Sequence, residues 1–401
     1  MQNEILVTKR EDKLLTIRTE GKRIVQIDAE DTEEESVLGN IYVGKVRNVV
    51  KNINAAFVEF QKGQMGYLSL AKGICPIHTD GVHHQDDRVL TGDEIIIQVQ
   101  REASKTKPPT LSGEINIAGK YMVLVRDGGM ISISSKIKDK EKRAWLYEIM
   151  ERYATDEIGF IARTNSADET EENIVAELEK LVSEYKKISE FGKHKTIFSC
   201  LKHTPRNYIK SIVDARTEYL SGIVTDCEDV YNEIHEYCSE YDLKNKEKLR
   251  MWNPLDGKLD AVYNVSRTLE HALMQRVWLK SGAYIIIQPT EALVSIDVNT
   301  GKAISKKKDV QKTFLKVNLE AAKEIAYQLR LRNLSGMILI DFIDMKDEEN
   351  NQLLMETLKE ECSKDGVKTS VVDMTKLGLV EVTRKKTRKT LYEQLHGQDI
   401  W

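Results

Sequence analysis

The sequence has little of what secreted or membrane proteins carry. Its five cysteines are widely spread and form no CxxC pair, which argues for reduced thiols and against a disulfide framework or a structural zinc. No apolar run approaches the roughly 20 residues that a membrane span needs. The polar, mixed N-terminus is not typical of a signal peptide. We therefore expect a soluble, cytoplasmic protein with no membrane association.

The chain also lacks a strong overall charge. Its formal net charge is −4, so there is no global electrostatic case for nucleic-acid binding, and any basic surface must be local. With 401 residues, 41% hydrophobic and 31% charged, the composition is ordinary for a globular protein of two to four domains. We find no internal repeat and no low-complexity tract.

Short apolar runs dominate the first hundred residues. Three of them between residues 5 and 27 predict a β-meander. Runs at 42–50, 55–60, 66–70 and 94–99, with glycine at the turns, predict a small closed β-barrel. The segment 72–90 contains a cluster of possible metal ligands: His78, His83, His84, Asp86 and Asp87. Because no helix or strand spacing organises this cluster, we interpret it as a solvated loop inserted in the barrel, with a metal site as the alternative.

Mixed strands and helices follow. The segment 167–185 places Ile174, Leu178, Leu181 and Tyr185 on one stripe, which predicts a helix. A short strand at 222–224 precedes another helix. From about residue 270 the pattern is α/β: a hairpin of strands 283–288 and 292–298, a helix from 310, a buried strand 337–345, a helix 348–362 and a strand 367–373. A basic tail closes this part, with Arg384, Lys385, Lys386, Arg388 and Lys389.

Two of these apolar strands contain a carboxylate. Asp297 lies in the run 295–301 and Asp341 in the run 338–345. Such runs should be core, where an ionised Asp is costly unless something pairs with it. Two of them suggest a shared hard divalent cation bound through oxygen. Asn299 shares a strand face with Asp297 and could orient a ligand or a water.

The alternative for either Asp taken alone is a turn or cap residue. The pair, each embedded in an apolar run, favours the metal site. Asp344, near the strand end, is a candidate for supporting it.

Long motifs resemble the ribonuclease E/G endoribonucleases over nearly the whole chain, from about residue 1 to 391. Those of the second half are SIDVNTGK (295–302), NLEAAKEIAYQLRLRNLSGMILIDFIDM (318–345) and LGLVEVTRKKTRKTL (377–391). GNIYVGKVRNVVKNINAAFVEF (39–60) and GYLSL (66–70) resemble that family's S1-type barrel, and GFIARTNS (159–166) its 5′-sensing pocket. Because the chain is short and has no long disordered C-terminal extension, it is most similar to the ribonuclease G members.

The resemblance implies an α/β multidomain protein, α+β overall. An RNase H-like subdomain would comprise residues 1–36 and 209–272. An S1-type β-barrel (OB-fold) at 37–119 and a 5′-sensor region at 120–208 would be inserted into it. A DNase I-like α/β catalytic subdomain would follow at 273–391, with a short C-terminal tail at 392–401.

The resemblance also implies an activity: Mg²⁺-dependent cleavage of single-stranded, A/U-rich RNA, favouring a 5′-monophosphate and leaving 5′-phosphate products. The RNA would be mRNA and rRNA precursors, in processing and decay. Asp297 and Asp341 match the family's ligands of one Mg²⁺, and Asn299 matches the supporting catalytic residue.

Further residues match the family's RNA-binding positions. Arg163 and Thr164 would hold the 5′-phosphate, and an Arg fork with a hydroxyl suits phosphate oxygens. Phe57 and Tyr67 would stack bases, although from sequence alone an aromatic in a strand is more often core. Lys107, assisted by Lys105, would meet the phosphate backbone.

One motif departs from the family. The CPxCxG-type zinc motif expected beyond the Arg/Lys-rich segment is absent, so we expect no structural zinc and no zinc-linked dimer. A homodimer held by another surface stays open, as does a chain shortened at its C-terminus. Two other functions also stay open: a non-catalytic single-stranded RNA-binding protein of the same fold, and a metal-dependent nuclease acting on DNA.

Overall fold

The structure is a computed structural model and describes residues 3–33, 36–71, 75–79, 88–103, 107–215, 219–241, 243–302 and 310–397. The chain divides into two units, one formed by Met1–Glu34 with Thr217–Trp401 and the other by Glu35–Arg216. Four members of the His/Asp cluster and one predicted basic residue lie outside the described residues: His83, His84, Asp86, Asp87 and Lys105.

The strands and helices are numbered in chain order. The strands are β1 (Asn3–Arg10), β2 (Lys13–Glu20), β3 (Arg23–Asp31), β4 (Ile41–Val50), β5 (Ala55–Gln61), β6 (Gln64–Ser69), β7 (Ile77–His78), β8 (Glu94–Arg101), β9 (Thr110–Ser112), β10 (Asn116–Ala118), β11 (Met122–Val125), β12 (Ile131–Ile133), β13 (Gly159–Ala162), β14 (Cys200–Lys202), β15 (Leu220–Thr225), β16 (Leu249–Met251), β17 (Arg276–Trp278), β18 (Tyr284–Pro289), β19 (Val294–Asn299), β20 (Gly336–Asp341), β21 (Thr369–Met374) and β22 (Leu379–Arg384). The helices are α1 (Lys140–Glu151), α2 (Glu171–Lys186), α3 (Asn207–Asp214), α4 (Glu228–Tyr241), α5 (Leu243–Lys246), α6 (Leu259–Tyr263), α7 (Val265–Leu273), α8 (Val310–Leu331), α9 (Glu348–Ser363) and α10 (Leu391–His396).

A closed five-stranded barrel forms part of the Glu35–Arg216 unit. Its strands pair in the order β4, β5, β6, β9, β8 and back to β4. Alternate side chains fill the interior, among them Val46, Val58, Phe60, Leu68 and Leu111. At Gly66 a Cβ atom would lie 2.5 Å from the Leu111 side chain, so only glycine fits there. The predicted closed barrel is confirmed, and β9 is a strand that the sequence did not reveal.

The position of His78 differs from the prediction. It lies in β7, which pairs with β8, and its Nε2 is 3.3 Å from the Asp93 Oδ2 atom. It is half-buried rather than part of a solvated loop. Ile77 packs in the apolar core and pairs with β8, and the adjacent His78 is therefore part of the same sheet.

The rest of this unit is a small sheet covered by helices. The order is β10, β11, β13, β12, and α1 and α2 pack on it. The predicted stripe of α2 is buried: Ile174, Leu178, Leu181 and Tyr185. The helix begins at Glu171, not at 167, because the Thr170 hydroxyl accepts from the Asn173 N–H and caps it.

The other unit contains two sheets. The first has the order β16, β15, β1, β2, β3, and its β1 to β3 form the predicted antiparallel meander. β15 pairs with β1 and with β16 in parallel. Among the described residues no helix is long and apolar enough to cross a bilayer.

The second sheet carries the predicted carboxylates. Its order is β17, β18, β19, β20, β22, β21, and only β19 and β20 are parallel to each other among its pairs. The helices α8 and α9 cover one face, where Ile296, Ile340, Val380 and their neighbours form an apolar core with Ile325 and Leu358. The predicted hairpin and both helices are present.

Two expectations for this sheet were wrong. The strand expected at 337–345 ends at Asp341. Arg384 is not in a basic tail: it ends β22 and is buried, with its Nε 2.7 Å from the Asp365 Oδ2 atom. The guanidinium also donates to the Asn333 side chain and the Leu334 carbonyl. These hydrogen-bond partners and the Asp365 counter-charge explain why the Arg384 guanidinium can be buried.

Candidate active site

Asp297 and Asp341 lie directly opposite each other on neighbouring strands. The parallel register of β19 and β20 aligns Asp297 with Asp341, and such strands are about 4.8 Å apart. Both residues are exposed, on the face away from α8 and α9. This corrects the expectation that they lie in the core. The strand alternation turns Ile296 and Ile340 inward and leaves the carboxylates in contact with water.

Asn299 shares this face, as predicted. Its Nδ2 donates a hydrogen bond to the Asp297 Oδ2 atom. Two residues later Gly301 has φ +51°, and a Cβ there would lie 2.4 Å from the Gly282 carbonyl oxygen. Glycine is therefore required in the turn that follows the carboxylate strand.

The electrostatics of the pair fit a cation. Partial removal from water raises the pKa of the Asp341 carboxyl, and the charges of Asp297 and Asp344 raise it further. A hard divalent cation would relieve this repulsion, and Mg²⁺ is usually held by only one or two carboxylates while it keeps several waters. Within the described ranges no group of three or more His, Cys, Asp or Glu side chains is arranged to hold a metal ion. The two carboxylates fit Mg²⁺ with its remaining positions open to water or phosphate oxygen.

Asn318 of α8 fixes the chain just after Asp341 and is not among the site residues predicted from the sequence. It is fully buried. Its Nδ2 donates to the Ile343 carbonyl at 2.8 Å, and the Ile343 N–H donates to its Oδ1 at 3.1 Å. The signal was present, since Asn318 occupies the same helix face as Ala321 and Ile325, where an apolar residue is expected.

The Arg163 guanidinium is held by groups of its own unit. It donates through Nη1 to the Gly119 carbonyl at 2.7 Å and through Nη2 to the Asp214 carboxylate. Glu177 in turn fixes the turn after Gly119, as its carboxylate accepts the N–H groups of residues 120–122. Burial raises the pKa of Glu177, although these hydrogen bonds and the Arg163 charge oppose the shift.

Thr164 opens a short 3₁₀ helix directly after Arg163. Its hydroxyl lies 3.1 Å from the Ser134 hydroxyl. The Thr164 hydroxyl, on the residue that follows Arg163 in the chain, thus lies beside the Ser134 hydroxyl, which the sequence did not indicate.

Phe57 and Tyr67 face each other across β5 and β6. Their ring centroids are 6.2 Å apart, at an interplanar angle of 74°. Both are half-buried on the outer face, while their neighbours Val58 and Leu68 point into the barrel. Lys107 is exposed, two residues before the Pro109 carbonyl that accepts the Tyr67 N–H at 2.7 Å. The aromatic pair is thus accessible rather than part of the core.

A closed barrel and a sheet with paired carboxylates define a mixed α/β protein with an OB-like domain. The model of the ribonuclease E/G family matches residues 116–387. The chain belongs to this family.

Curated relatives cover nearly the whole chain. The chain is 32% identical over 395 residues to ribonuclease G of Haemophilus influenzae. The alignment covers 96% of this chain and 79% of the relative. The chain is 31% identical over 405 residues to ribonuclease G of Escherichia coli K12 (98% and 81%). Ribonuclease E of Synechocystis is 31% identical over 368 residues (90% and 54%). The predicted family and the predicted enzyme class, an endoribonuclease, are confirmed.

Proposed function

We propose that this endoribonuclease uses Mg²⁺ to cleave single-stranded, A/U-rich RNA, favours 5′-monophosphorylated ends and leaves 5′-phosphate products. Its substrates would be rRNA precursors and mRNA in the cytoplasm. The observation that carries the proposal is the alignment of Asp297 with Asp341 on an exposed sheet face of a ribonuclease E/G family chain.

The residues of this face have separate roles in the proposed reaction. Asp297 and Asp341 would hold one Mg²⁺, which would stabilise developing charge on a phosphoryl oxygen as a Lewis acid. Asn299 donates to one oxygen of Asp297 and so fixes the orientation of that carboxylate. Asn318 holds the backbone after Asp341 in place. The exposed face leaves room for an RNA backbone to approach.

The barrel would hold the single strand. The outer-face pair Phe57 and Tyr67 offers rings to unpaired bases, each stacked base being worth about 1–3 kcal/mol. Exposed Lys107 would contact a phosphate.

The sensor would act by exchange. Arg163 donates to the Asp214 carboxylate, and a terminal phosphate would take the place of that carboxylate on the planar guanidinium fork. The hydroxyl groups of Thr164 and Ser134, 3.1 Å apart, would supply further donors.

The finer domain assignment is part of the proposal. The closed barrel supports an S1-type domain at 37–119. The meander continued by parallel β15 and β16 supports an RNase H-like subdomain at 1–36 and 209–272. The carboxylate-bearing sheet supports a DNase I-like subdomain at 273–391, and the remaining region 120–208 would be the 5′ sensor.

The metal site is tested with a 5′-monophosphorylated, A/U-rich single-stranded RNA in Mg²⁺. We expect Asp297→Asn and Asp341→Asn each to slow cleavage about 100-fold or more, since several kcal/mol of charge stabilisation is lost. Asp373→Asn is the matched control, an exposed carboxylate on β21 of the same sheet. Persistent cleavage by both active-site variants would contradict the assignment of Asp297 and Asp341 as the metal site. RNA binding without cleavage by the wild type would instead support a non-catalytic RNA-binding protein.

The sensor is tested separately with 5′-hydroxyl and 5′-monophosphate forms of the same RNA. The wild type should prefer the phosphate, and Arg163→Ala should lose that preference while still cleaving the 5′-hydroxyl RNA. Equal rates for both RNAs with both proteins would remove the sensor but leave the nuclease assignment intact.

A further inference from the structure

A cluster of two aromatic rings and an arginine lies on the same sheet as the carboxylates. The rings of Trp278 on β17 and Tyr284 on β18 have centroids 5.1 Å apart. The Arg276 guanidinium carbon lies 4.6 Å from the Tyr284 centroid and 5.9 Å from that of Trp278. Trp278 is 59% exposed. One exposed aromatic alone is ordinary on a protein surface, but here Trp278 is continuous with a second ring and a cation, and a contiguous patch of this kind is a candidate binding surface.

The strand register places the cluster beside the candidate active site. Trp278 is opposite Tyr284, and Tyr284 is opposite Asn299. Opposed residues of a sheet share a face, and Val277 packs with the apolar core on the other face. Neighbouring strands are about 4.8 Å apart, so the Trp278 backbone is about 10 Å from that of Asn299.

Arg276 belongs to the next set of residues aligned across the strands. It is opposite Ile286, which is opposite Asp297, the partner of Asp341. Arg276, Trp278 and Tyr284 therefore lie on the same face of the same sheet as the paired carboxylates Asp297 and Asp341.

The hairpin that carries the cluster is fixed from behind. Glu320 of α8 accepts the N–H of Lys280 at 2.7 Å and that of Ser281 at 3.3 Å, in the turn between β17 and β18. A surface held in this way loses little freedom when it binds.

We propose that Arg276, Trp278 and Tyr284 form a stacking subsite for one unpaired base of the RNA strand whose phosphodiester lies at Asp297 and Asp341. The proposal rests on the proposed function. Aromatic faces accept any base, and arginine adds a cation–π contact and a donor to phosphate. The cluster lies on the same sheet face as the carboxylates, and this favours RNA over a protein partner. An RNA strand with its phosphodiester at Asp297 and Asp341 must also extend across a neighbouring part of this face.

The subsite is tested by binding to a cleavage-inactive protein. In the Asp297→Asn background, affinity for the A/U-rich RNA is measured by fluorescence anisotropy with Trp278→Leu, Tyr284→Leu and Trp278→Phe added singly. We expect each Leu variant to weaken binding about ten-fold, which corresponds to about 1.4 kcal/mol, and Trp278→Phe to retain most of the affinity. Phe191→Leu is the matched control, an aromatic that is 62% exposed in the other unit.

A second readout identifies the base itself. A series of RNAs, each lacking one base near the cleavage position, is bound to the same proteins. If the base stacks on Trp278, one such RNA binds the parent protein less tightly, and Trp278→Leu weakens that RNA no further, because the two losses remove the same contact. This readout is valid only for variants whose circular dichroism matches the parent, and Tyr284→Leu takes the place of Trp278→Leu if the latter misfolds.

Four results would count against the subsite. Unchanged affinity in the Leu variants, or losses that add at every abasic position, would overturn it, while cleavage by the wild type would leave the proposed function standing. A changed oligomeric state in Trp278→Leu with unchanged RNA affinity would assign the cluster to a protein contact. Failure of the wild type both to bind and to cleave RNA would overturn the proposed function together with the subsite.

Discussion

At the scale of single residues, Arg384 is a charge buried among its partners. Its guanidinium donates to Asp365, to the Asn333 side chain and to the Leu334 carbonyl. We expect Arg384→Ala to lower the free energy of unfolding by about 3–5 kcal/mol, because the buried Asp365 carboxylate would lose its counter-charge and keep only the Val367 N–H and the Thr369 hydroxyl as donors. Thermal and urea unfolding measure this.

The control for this prediction is Lys386→Ala, an exposed lysine two residues away, which should change stability by less than about 0.5 kcal/mol. A double variant, Arg384→Met with Asp365→Leu, should recover part of the loss because no lone charge remains. Equal effects of Arg384→Ala and Lys386→Ala would contradict the structural role of the pair.

Asn318 gives a second residue-scale prediction. Asn318→Leu leaves the Ile343 N–H and carbonyl without their partner and should shift the segment that begins at Asp341. Residues that orient a metal ligand commonly change metal affinity by about 10–100-fold. We therefore expect a higher Mg²⁺ concentration for half-maximal cleavage, measured by titration of initial rates.

Gln352→Leu, on the exposed face of α9, controls for added apolar surface. If Asn318→Leu lowered the maximal rate at an unchanged Mg²⁺ midpoint, its role would not be positioning of the ligand segment.

These residues also show what the sequence could reveal. Alternation along a strand was enough to place Asp297 and Asn299 on one face, and it should have shown that the face opposite Ile296 can be solvated. Arg384 was misassigned because it begins a run of basic residues, and sequence cannot show that Asp365, 19 positions earlier, provides its counter-charge. Long-range pairing of this kind is set by the fold.

At the scale of elements, α2 controls the turn beside Arg163. The Glu177 carboxylate accepts three backbone N–H groups at 2.7–2.9 Å, next to the Gly119 carbonyl that holds Arg163. We expect Glu177→Ala to lower the free energy of unfolding by about 3 kcal/mol, since buried N–H groups lose a charged acceptor. It should also weaken the preference for 5′-monophosphate RNA over 5′-hydroxyl RNA.

Glu179→Ala is the control, an exposed carboxylate on the same helix that accepts a hydrogen bond from the Tyr153 hydroxyl. If Glu177→Ala were destabilised but kept the full preference for 5′-monophosphate RNA, the turn held by Glu177 would have no role in recognition of the 5′ phosphate.

Element prediction failed where strands are short or masked by charge. β9 has only three residues, and barrel closure rather than its own pattern defines it as a strand. β22 pairs with β20 inside the carboxylate sheet, yet its alternation of Val380 and Val382 with polar residues was overlooked beside the basic run. Long periodic elements such as α2 and α8 were found because their buried stripes span several turns.

At the scale of the whole molecule, a net charge of −4 means that RNA binding must depend on a few local cations. Each phosphate contact to a single strand contributes about 0.7 to the slope of log affinity against log salt concentration. We therefore expect Lys107→Ala to reduce that slope by about 0.7. Tyr67→Leu should weaken binding at every salt concentration without changing the slope, because stacking neutralises no phosphate.

The measurement is anisotropy with the Asp297→Asn protein, between about 50 and 200 mM salt. Lys359→Ala, an exposed lysine of α9, should leave both slope and affinity unchanged. If Lys107→Ala matched this control, the cation that meets the RNA backbone would lie elsewhere. If Tyr67→Leu altered the slope, its ring would be acting on the position of a cation rather than on a base. The two variants together therefore separate the charge contribution of the barrel from its stacking contribution.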